Sequence, residues 1–383
     1  MITTTSASAA LKSYYLDAVT EQLNKSANPF LAQIESTTED VWGKDVKKVV
    51  TYGVHSGVCA GKEDAYLTNA SSGDYAQLTS TLKNLYGRIE ISDKAVRASR
   101  NGDGSFINLV NEEMQNLVRS SSFNLGRMLF GDGTGKLAEI LSVSGNSYIV
   151  DDVRNFATGM IVDLYNASGS SFATDCKVTA VDSVNRLVTI TGNASPGAIG
   201  YGIYVHGSFG QELTGLGAIF SDSSELYGLS RADHDWLNPI IEEGVESITE
   251  LAVQKAIDEV EERSGGKINF IICSWGVRRA LINVLSKYRE CNSIDLVGGA
   301  RAISFNGIPV VADRFCPKGT MYLLNTDDFR LHQLCDWQWL EGDNGVLKQL
   351  AGRPVYEATL VKYAELMCYR PCGQAVLRGI TEK

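Results

Sequence analysis

Histidine is scarce in this chain of 383 residues: His55, His206, His234 and His332 stand far apart, none at helical spacing from another. A metal centre or acid/base relay written into local sequence needs such side chains close together, so neither is expected. Eight cysteines occur, Cys59, Cys176, Cys273, Cys291, Cys316, Cys335, Cys368 and Cys372, and only the last two are near one another, as Cys-x-x-x-Cys with no second pair. That spacing does not build a zinc site, and reduced, packed thiols are the expectation. Basic clusters are missing too. Acidic residues number 45 against 35 basic ones, the pI is near 5.1, and no run rich in Lys and Arg occurs. This excludes a surface that grips nucleic acid through many phosphate contacts. No apolar run reaches the roughly 18 residues of a membrane-spanning helix, and no charged segment leads into an apolar one as in a signal peptide. Synthesis in the cytosol is expected.

The motifs of common chemistries fail on inspection. Gly131-Asp132-Gly133-Thr134-Gly135-Lys136-Leu137 has the look of a phosphate loop. The first glycine of that motif is replaced by Phe130 and the Ser or Thr that would hold magnesium by Leu137, so the segment reads as a glycine-rich helix terminator. There is no G-x-S-x-G elbow and no complete dinucleotide fingerprint. Asp258, Glu259, Glu261 and Glu262 lie opposite the apolar face of their helix and read as a solvated surface. No catalytic, cofactor-binding or metal residue is assigned, no cofactor is expected, and the chain is not read as an enzyme.

What the chain does have is architecture. Hydrophobic residues make up 44% and charged ones 21%, a composition that supports a large core and more than one domain. Ile107, Asn111, Met114, Val118, Ser121, Leu125 and Leu129 recur at helical spacing between two glycine clusters, which predicts one long amphipathic helix over 105–130. Ahead of it, Ala10, Leu11, Tyr14, Tyr15, Ala18, Val19 and Leu23 predict an N-terminal helical arm stopped at Asn28-Pro29. Strand-like runs at 46–54 and 85–91 flank a stretch, 55–84, without a periodic apolar face, which reads as a projecting hairpin that needs support from another copy. After the helix, short β-branched runs between Leu141 and His206 predict a small all-β module of about five strands. Ser247-Ile248-Thr249-Glu250 reads as a capping box opening a helix whose inward residues are Leu251, Ala256, Ile257 and Val260. The strand Ile268–Cys273, a second helix with Val277, Ala280, Leu281, Val284, Leu285 and Tyr288, and strands at 308–312 and 321–325 complete an α/β or α+β unit. Long strands are expected at 356–363 and in the closing run Ala375-Val376-Leu377.

This order of elements resembles the major capsid proteins of tailed bacteriophages, the Hong Kong 97-like capsid fold that encapsulin shells share. Local wording supports the resemblance: Glu212-Leu213-Thr214-Gly215-Leu216, then Tyr227-Gly228-Leu229-Ser230-Arg231 and Trp236, and further on Phe305-Asn306-Gly307-Ile308-Pro309-Val310-Val311 with Lys318-Gly319-Thr320-Met321-Tyr322-Leu323-Leu324. The resemblance implies an α+β fold divided into an N-terminal arm (1–45), an E-loop with flanking strands (46–95), a peripheral domain with the spine helix (96–140), an inserted β domain (141–210), an axial domain (211–352) and C-terminal peripheral strands (353–383). It implies a shell subunit that assembles through pentamers and hexamers around double-stranded DNA without reading its sequence. Its partners would be further copies, a separate scaffolding protein, a portal and, on some shells, a decoration protein, with assembly in the host cytoplasm. The scaffolding expectation follows from an arm that begins at Met1 with no cleavable prefix. Tyr14, Tyr15, Lys62, Glu63, Asp64, Tyr66, Leu67 and Tyr75 are the expected contacts between subunits. Some relatives crosslink a loop lysine to an asparagine; Lys62 sits in the right loop, but no acceptor asparagine is marked. An encapsulin-type compartment remains an alternative, as does a soluble ligand-binding protein or enzyme that uses the β module.

Overall fold

Among the described residues the longest helix is Ser105–Leu129, of 25 residues. The computed structural model describes residues 28–94 apart from Ser56, Ala65, Leu67, Thr68, Ala70 and Ser71, residues 105–285 apart from Asn193 and Ala194, and then 293–295, 301–341, Val346 and 348–382. The expected arm with Tyr14 and Tyr15, and Leu67 of the loop, lie outside the described residues. Along the long helix Met114, Val118, Ser121, Leu125 and Leu129 are buried, as their spacing requires. The helix lies on the strand Lys83–Ser92 where Gly87 permits close approach: a Cβ there would stand 2.9 Å from Leu117 Cδ1.

Beneath that helix runs a five-stranded sheet dominated by one strand, Val355–Cys368. It pairs antiparallel with Lys83–Ser92 from Val355↔Ser92 to Ala364↔Lys83, and with Phe329–Trp339 on its other side. Glu35–Thr37 and Lys348–Gln349 complete the sheet. The strand expected at 85–91 is therefore present, but its partner is the tail of the chain. The strand at Asp45–Tyr52 pairs instead with Asp74–Thr81, inside the stretch that shows no periodic apolar face. Leu78 is that strand's one buried apolar anchor, with Thr, Ser and Gln around it, so its pattern carries too little contrast to stand out.

A seven-stranded sheet forms the second layer system, in the order Ile240–Glu242, Ala375–Leu377, Met321–Leu324, Phe270–Cys273, Ile308–Ala312, Arg301–Phe305 and Ser293–Asp295. Its period-two alternation splits two cores. Ile271, Cys273, Val310, Met321, Leu323 and Leu377 join the cluster that includes the helices Glu250–Ser264 and Trp275–Leu285. Phe270, Ile272, Val311, Tyr322, Leu324 and Val376 join the other cluster, with the end of the long helix. Two expectations change here. Ala375–Leu377, grouped above with the C-terminal peripheral strands, belongs to this sheet. The helix at Glu250 is capped by Thr249, whose side chain accepts from the Ala252 amide at 3.1 Å, not by the Ser247–Glu250 box. The shift leaves Leu251 78% exposed and puts Val253 in the core.

Between the long helix and the seven-stranded sheet in chain order, Lys136–Ser144, Ser147–Val150, Ile161–Tyr165, Ser171–Asp182, Leu187–Ile190 and Gly202–Val205 close into a six-stranded barrel. It begins at Lys136, ahead of Leu141, and has six strands where about five were expected. Ile140, Tyr148, Val150, Val162, Leu164, Val178, Val188 and Ile203 fill it, and closure removes the exposed edges that a small open sheet would carry.

Candidate assembly surface

The hairpin formed by Asp45–Tyr52 and Asp74–Thr81, with Val41–Trp42 beside it, has two unlike faces. The inner face is seated on its own chain. Val46 and Leu78 are fully buried against Leu226, Tyr227, Leu237 and Met367. Farther along, the Tyr52 ring stacks on Trp236 at 5.6 Å between centroids and meets the edge of His234 at 5.4 Å. The Thr79 amide donates to the Tyr227 carbonyl at 2.9 Å. Lys48 reaches Asp40 at 2.6 Å and lies over the Tyr369 ring. The strands of the hairpin thus have support within the subunit, where the sequence pointed to support from another copy.

That seat depends on a strained turn. Tyr227 and Gly228 both adopt positive φ, 51° and 77°, between the short strands Glu225–Leu226 and Leu229–Ser230. This is the backbone of a tight hairpin turn that usually takes Asn-Gly. A tyrosine there costs about 1 kcal/mol or more, and its hydroxyl offsets the cost. It accepts from the Cys368 amide at 3.1 Å and donates to the Leu366 carbonyl at 3.3 Å. Those groups lie at the end of the long C-terminal strand beyond its last pair with Lys83, an edge that would otherwise carry unpaired backbone. Burial pushes the Tyr227 hydroxyl well above its usual pKa, so it stays a donor. Tyr227→Phe is expected to lower subunit stability by about 1–3 kcal/mol, the cost of leaving buried polar groups unpaired. Denaturant unfolding of the dilute subunit reads this directly, and a change under about 0.5 kcal/mol, an ordinary surface effect, would refute the role.

The outer face and the tip carry several large apolar side chains into water. Trp42, Val49 and Tyr75 are 70%, 60% and 67% exposed, and at the tip Val54, Val58 and Tyr66 are more exposed still. Lys62, Glu63 and Asp64 are exposed beside them. Of the expected contact residues, the structure therefore brings Lys62, Glu63, Asp64, Tyr66 and Tyr75 onto one projecting element. Trp42 and Val49 were not singled out. Their signal was present, since Val49 alternates with the inward Val46, Lys48 and Val50, but which face is free depends on Trp236 and Tyr227 far along the chain.

Behind the hairpin, the segments entering and leaving the barrel are locked to the end of the long helix. The Glu212 amide donates to the Gly133 carbonyl and the Gly210 amide to the Thr134 carbonyl. Gly215 lies so close that a Cβ would stand 2.3 to 2.7 Å from the carbonyl oxygens of Met128, Gly131 and Leu129. Arg127 and Glu212 form a bidentate pair there, at 2.8 and 2.5 Å, with about 3% and 2% of their side chains exposed. Arg231 donates to the carbonyls of Ala218, Ile219 and Leu237 and so ties the helix Leu216–Ile219 to the turn that carries Trp236. The residues that carried the resemblance, Glu212, Gly215, Tyr227, Arg231 and Trp236, thus hold the hairpin, the barrel and the long helix in register.

Among the described residues no group of His, Cys, Asp and Glu is placed to hold a metal ion, and no helix is long and apolar enough to cross a membrane. No family model matches the sequence, and no curated protein matches it. Among solved structures, the chain is similar to one in the cyanophage A-1(L) capsid asymmetric unit, at 13% identity and a TM-score of 0.55, over 95% of this chain and 93% of that one. It is also similar to a chain of the holo-SrpI encapsulin complex from Synechococcus elongatus PCC 7942, at 9% identity and a TM-score of 0.50, over 93% and 89%. At such identities what is shared is the backbone path, and over nearly its whole length this chain has the α+β fold of a phage capsid subunit, a fold common to encapsulins.

Proposed function

We propose that this protein is the structural subunit of a closed icosahedral shell, the major capsid protein of a tailed phage, and that its hairpin is what one copy lends to the next. The observation that carries the reading is the hairpin itself. On a chain with a phage-capsid fold, one element projects with its inner face satisfied and with Trp42, Val49, Tyr75, Val58 and Tyr66 left in water. Large apolar side chains left in water on a projecting element suit a protein contact better than they suit solvent. A contact that is heterologous, tip of one copy on the body of the next, generates rings when the rotation closes. Tyr14, Tyr15 and Leu67 belong to the same contact set in this reading, with Lys62, Glu63 and Asp64 as its polar rim.

The formal charge of −10 suits a container. A wall with few phosphate contacts holds DNA without retaining it. The reading extends to a separate scaffolding protein, a portal and, on the finished shell, a decoration protein, with assembly in the host cytoplasm. No catalytic role is included. Electron microscopy of the purified protein tests the whole reading: closed cages of uniform size are expected, and a protein that stays monomeric at every concentration would overturn it. Nucleic acid inside the cages supports a virion shell. A co-purified cargo enzyme in its place would move the assignment to an encapsulin, whose fold this chain also shares.

A further inference from the structure

Glu365 is a carboxylate that the assembly reading leaves without a task and that the fold buries at a cost. It lies in the strand Val355–Cys368, just past Ala364, the last residue paired with the strand Lys83–Ser92. Its side chain is 0% exposed. One oxygen, Oε1, accepts from the Thr214 amide at 2.9 Å. The other, Oε2, is buried with no hydrogen-bond partner.

No neighbour supplies a close compensating charge. Across the strand pair stands His332, whose two ring nitrogens are already engaged by the Glu39 carbonyl at 3.0 Å and the Tyr369 hydroxyl at 2.7 Å. Burial pulls its pKa down, which favours the neutral ring. From the turn at 226–229 comes Tyr227, neutral and committed to Leu366 and Cys368. Along the linker from the barrel, Glu212 is saturated by Arg127 of the long helix. Lys83, at the start of the neighbouring strand, offers a more distant attraction. A carboxylate in such a place is costly, whereas the neutral acid keeps the Thr214 bond at its carbonyl oxygen and buries no charge.

We propose that Glu365 is a proton-operated latch: as the neutral acid it clasps the linker at Thr214 to the C-terminal sheet, and as the carboxylate it releases that linker so that water reaches the unpartnered oxygen. The linker joins the barrel to the helix Leu216–Ile219 and the seven-stranded sheet beyond, so the latch governs how firmly the two sheet systems are coupled. It acts within one subunit and does not rest on the assembly reading. Burial raises the carboxyl from 4.5 to about 7, against the pull of hydrogen bonds from the Thr214 side chain and amide. A group raised in the folded state contributes stability that is complete below its ordinary pKa and is lost as the pH climbs through the folded value. The clasp is therefore tight in mild acid and released near neutrality.

Two measurements on the full chain test this. With carbon-13 in the glutamate side-chain carboxyls, one resonance is expected to titrate near pH 7, and it should be missing in Glu365→Gln; aspartates such as Asp313 stay silent under this label. Amide exchange of the peptide holding Thr214, corrected for the intrinsic pH dependence, should quicken by up to about tenfold per pH unit between roughly 5 and 7. In Glu365→Gln it should stay flat. A glutamate set that titrates wholly in the ordinary carboxylate range overturns the latch, and so does exchange that rises equally in both proteins. Should Glu365→Gln fail to fold, the wild-type titration still decides.

Discussion

Arg127→Ala is expected to destabilise the subunit by about 3–5 kcal/mol, because it strands Glu212 as an unpaired charge in a site with 2% exposure. The position of the pair sets how the loss spreads. Arg127 stands in the last turn of the long helix, where a cation also complements the helix dipole, and Glu212 stands in the linker that returns from the barrel. Breaking the pair therefore loosens the helix end, the crossing of Gly133 with Glu212 and the close seat of Gly215 together. Replacing both partners with apolar residues of similar size, Arg127→Met with Glu212→Leu, should recover most of the loss, since the cost lies in the uncompensated charge and not in the missing attraction. Urea unfolding of the dilute subunit reads both. A single-variant loss under about 1 kcal/mol is the value of a surface pair, and it would mean that water reaches Glu212.

The sequence makes such local devices more legible than the pairings between them. The long helix was readable because Met114, Val118, Ser121 and Leu125 alternate with polar residues at a period that only a helix satisfies. The seven-stranded sheet was readable in part, since Phe270–Cys273 and Met321–Leu324 are continuous apolar runs, as strands covered on both faces are. Register between distant segments was not readable. Nothing in Leu85, Ile89 and Ile91 names Val355–Ala364 as their partner, and nothing in Ala375-Val376-Leu377 says which of two sheets it enters, because alternation fixes a face and not a neighbour. The N-cap at Thr249 shows a related limit: Ser247 and Thr249 are both residue types that cap, and local sequence does not choose between them. The candidate surface divides the same way. Lys62, Tyr66 and Tyr75 stood out because their stretch lacks any apolar face, whereas Trp42 and Val49 became candidates only once Tyr52 was seen on Trp236, with the opposite face of its strand turned to water.

A chain in which residues 53–73 are replaced by Asn-Gly is expected to fold as stably as the wild type and to form no closed cages. The two-residue turn suits the ladder, which ends at Tyr52↔Asp74 and asks for a turn with positive φ at both positions. Every buried anchor of the hairpin, Val46, Leu78 and the Tyr52–Trp236 stack, lies outside the deleted stretch. Val54, Val58 and Tyr66 are in water in the isolated subunit, so removing them should change its unfolding free energy by no more than about 0.5 kcal/mol. In an assembly the same side chains would be buried, and losing two or three anchors of about 1.5–3 kcal/mol each, repeated at every contact around a ring, is enough to prevent closure. Tyr66→Ala should fall between, giving cages only at higher protein concentration. Calorimetry of the dilute subunit and micrographs of the concentrated one separate the two effects. Wild-type cages from the shortened chain would show that the tip is surface alone, and would shift the contact to the outer face at Trp42, Val49 and Tyr75.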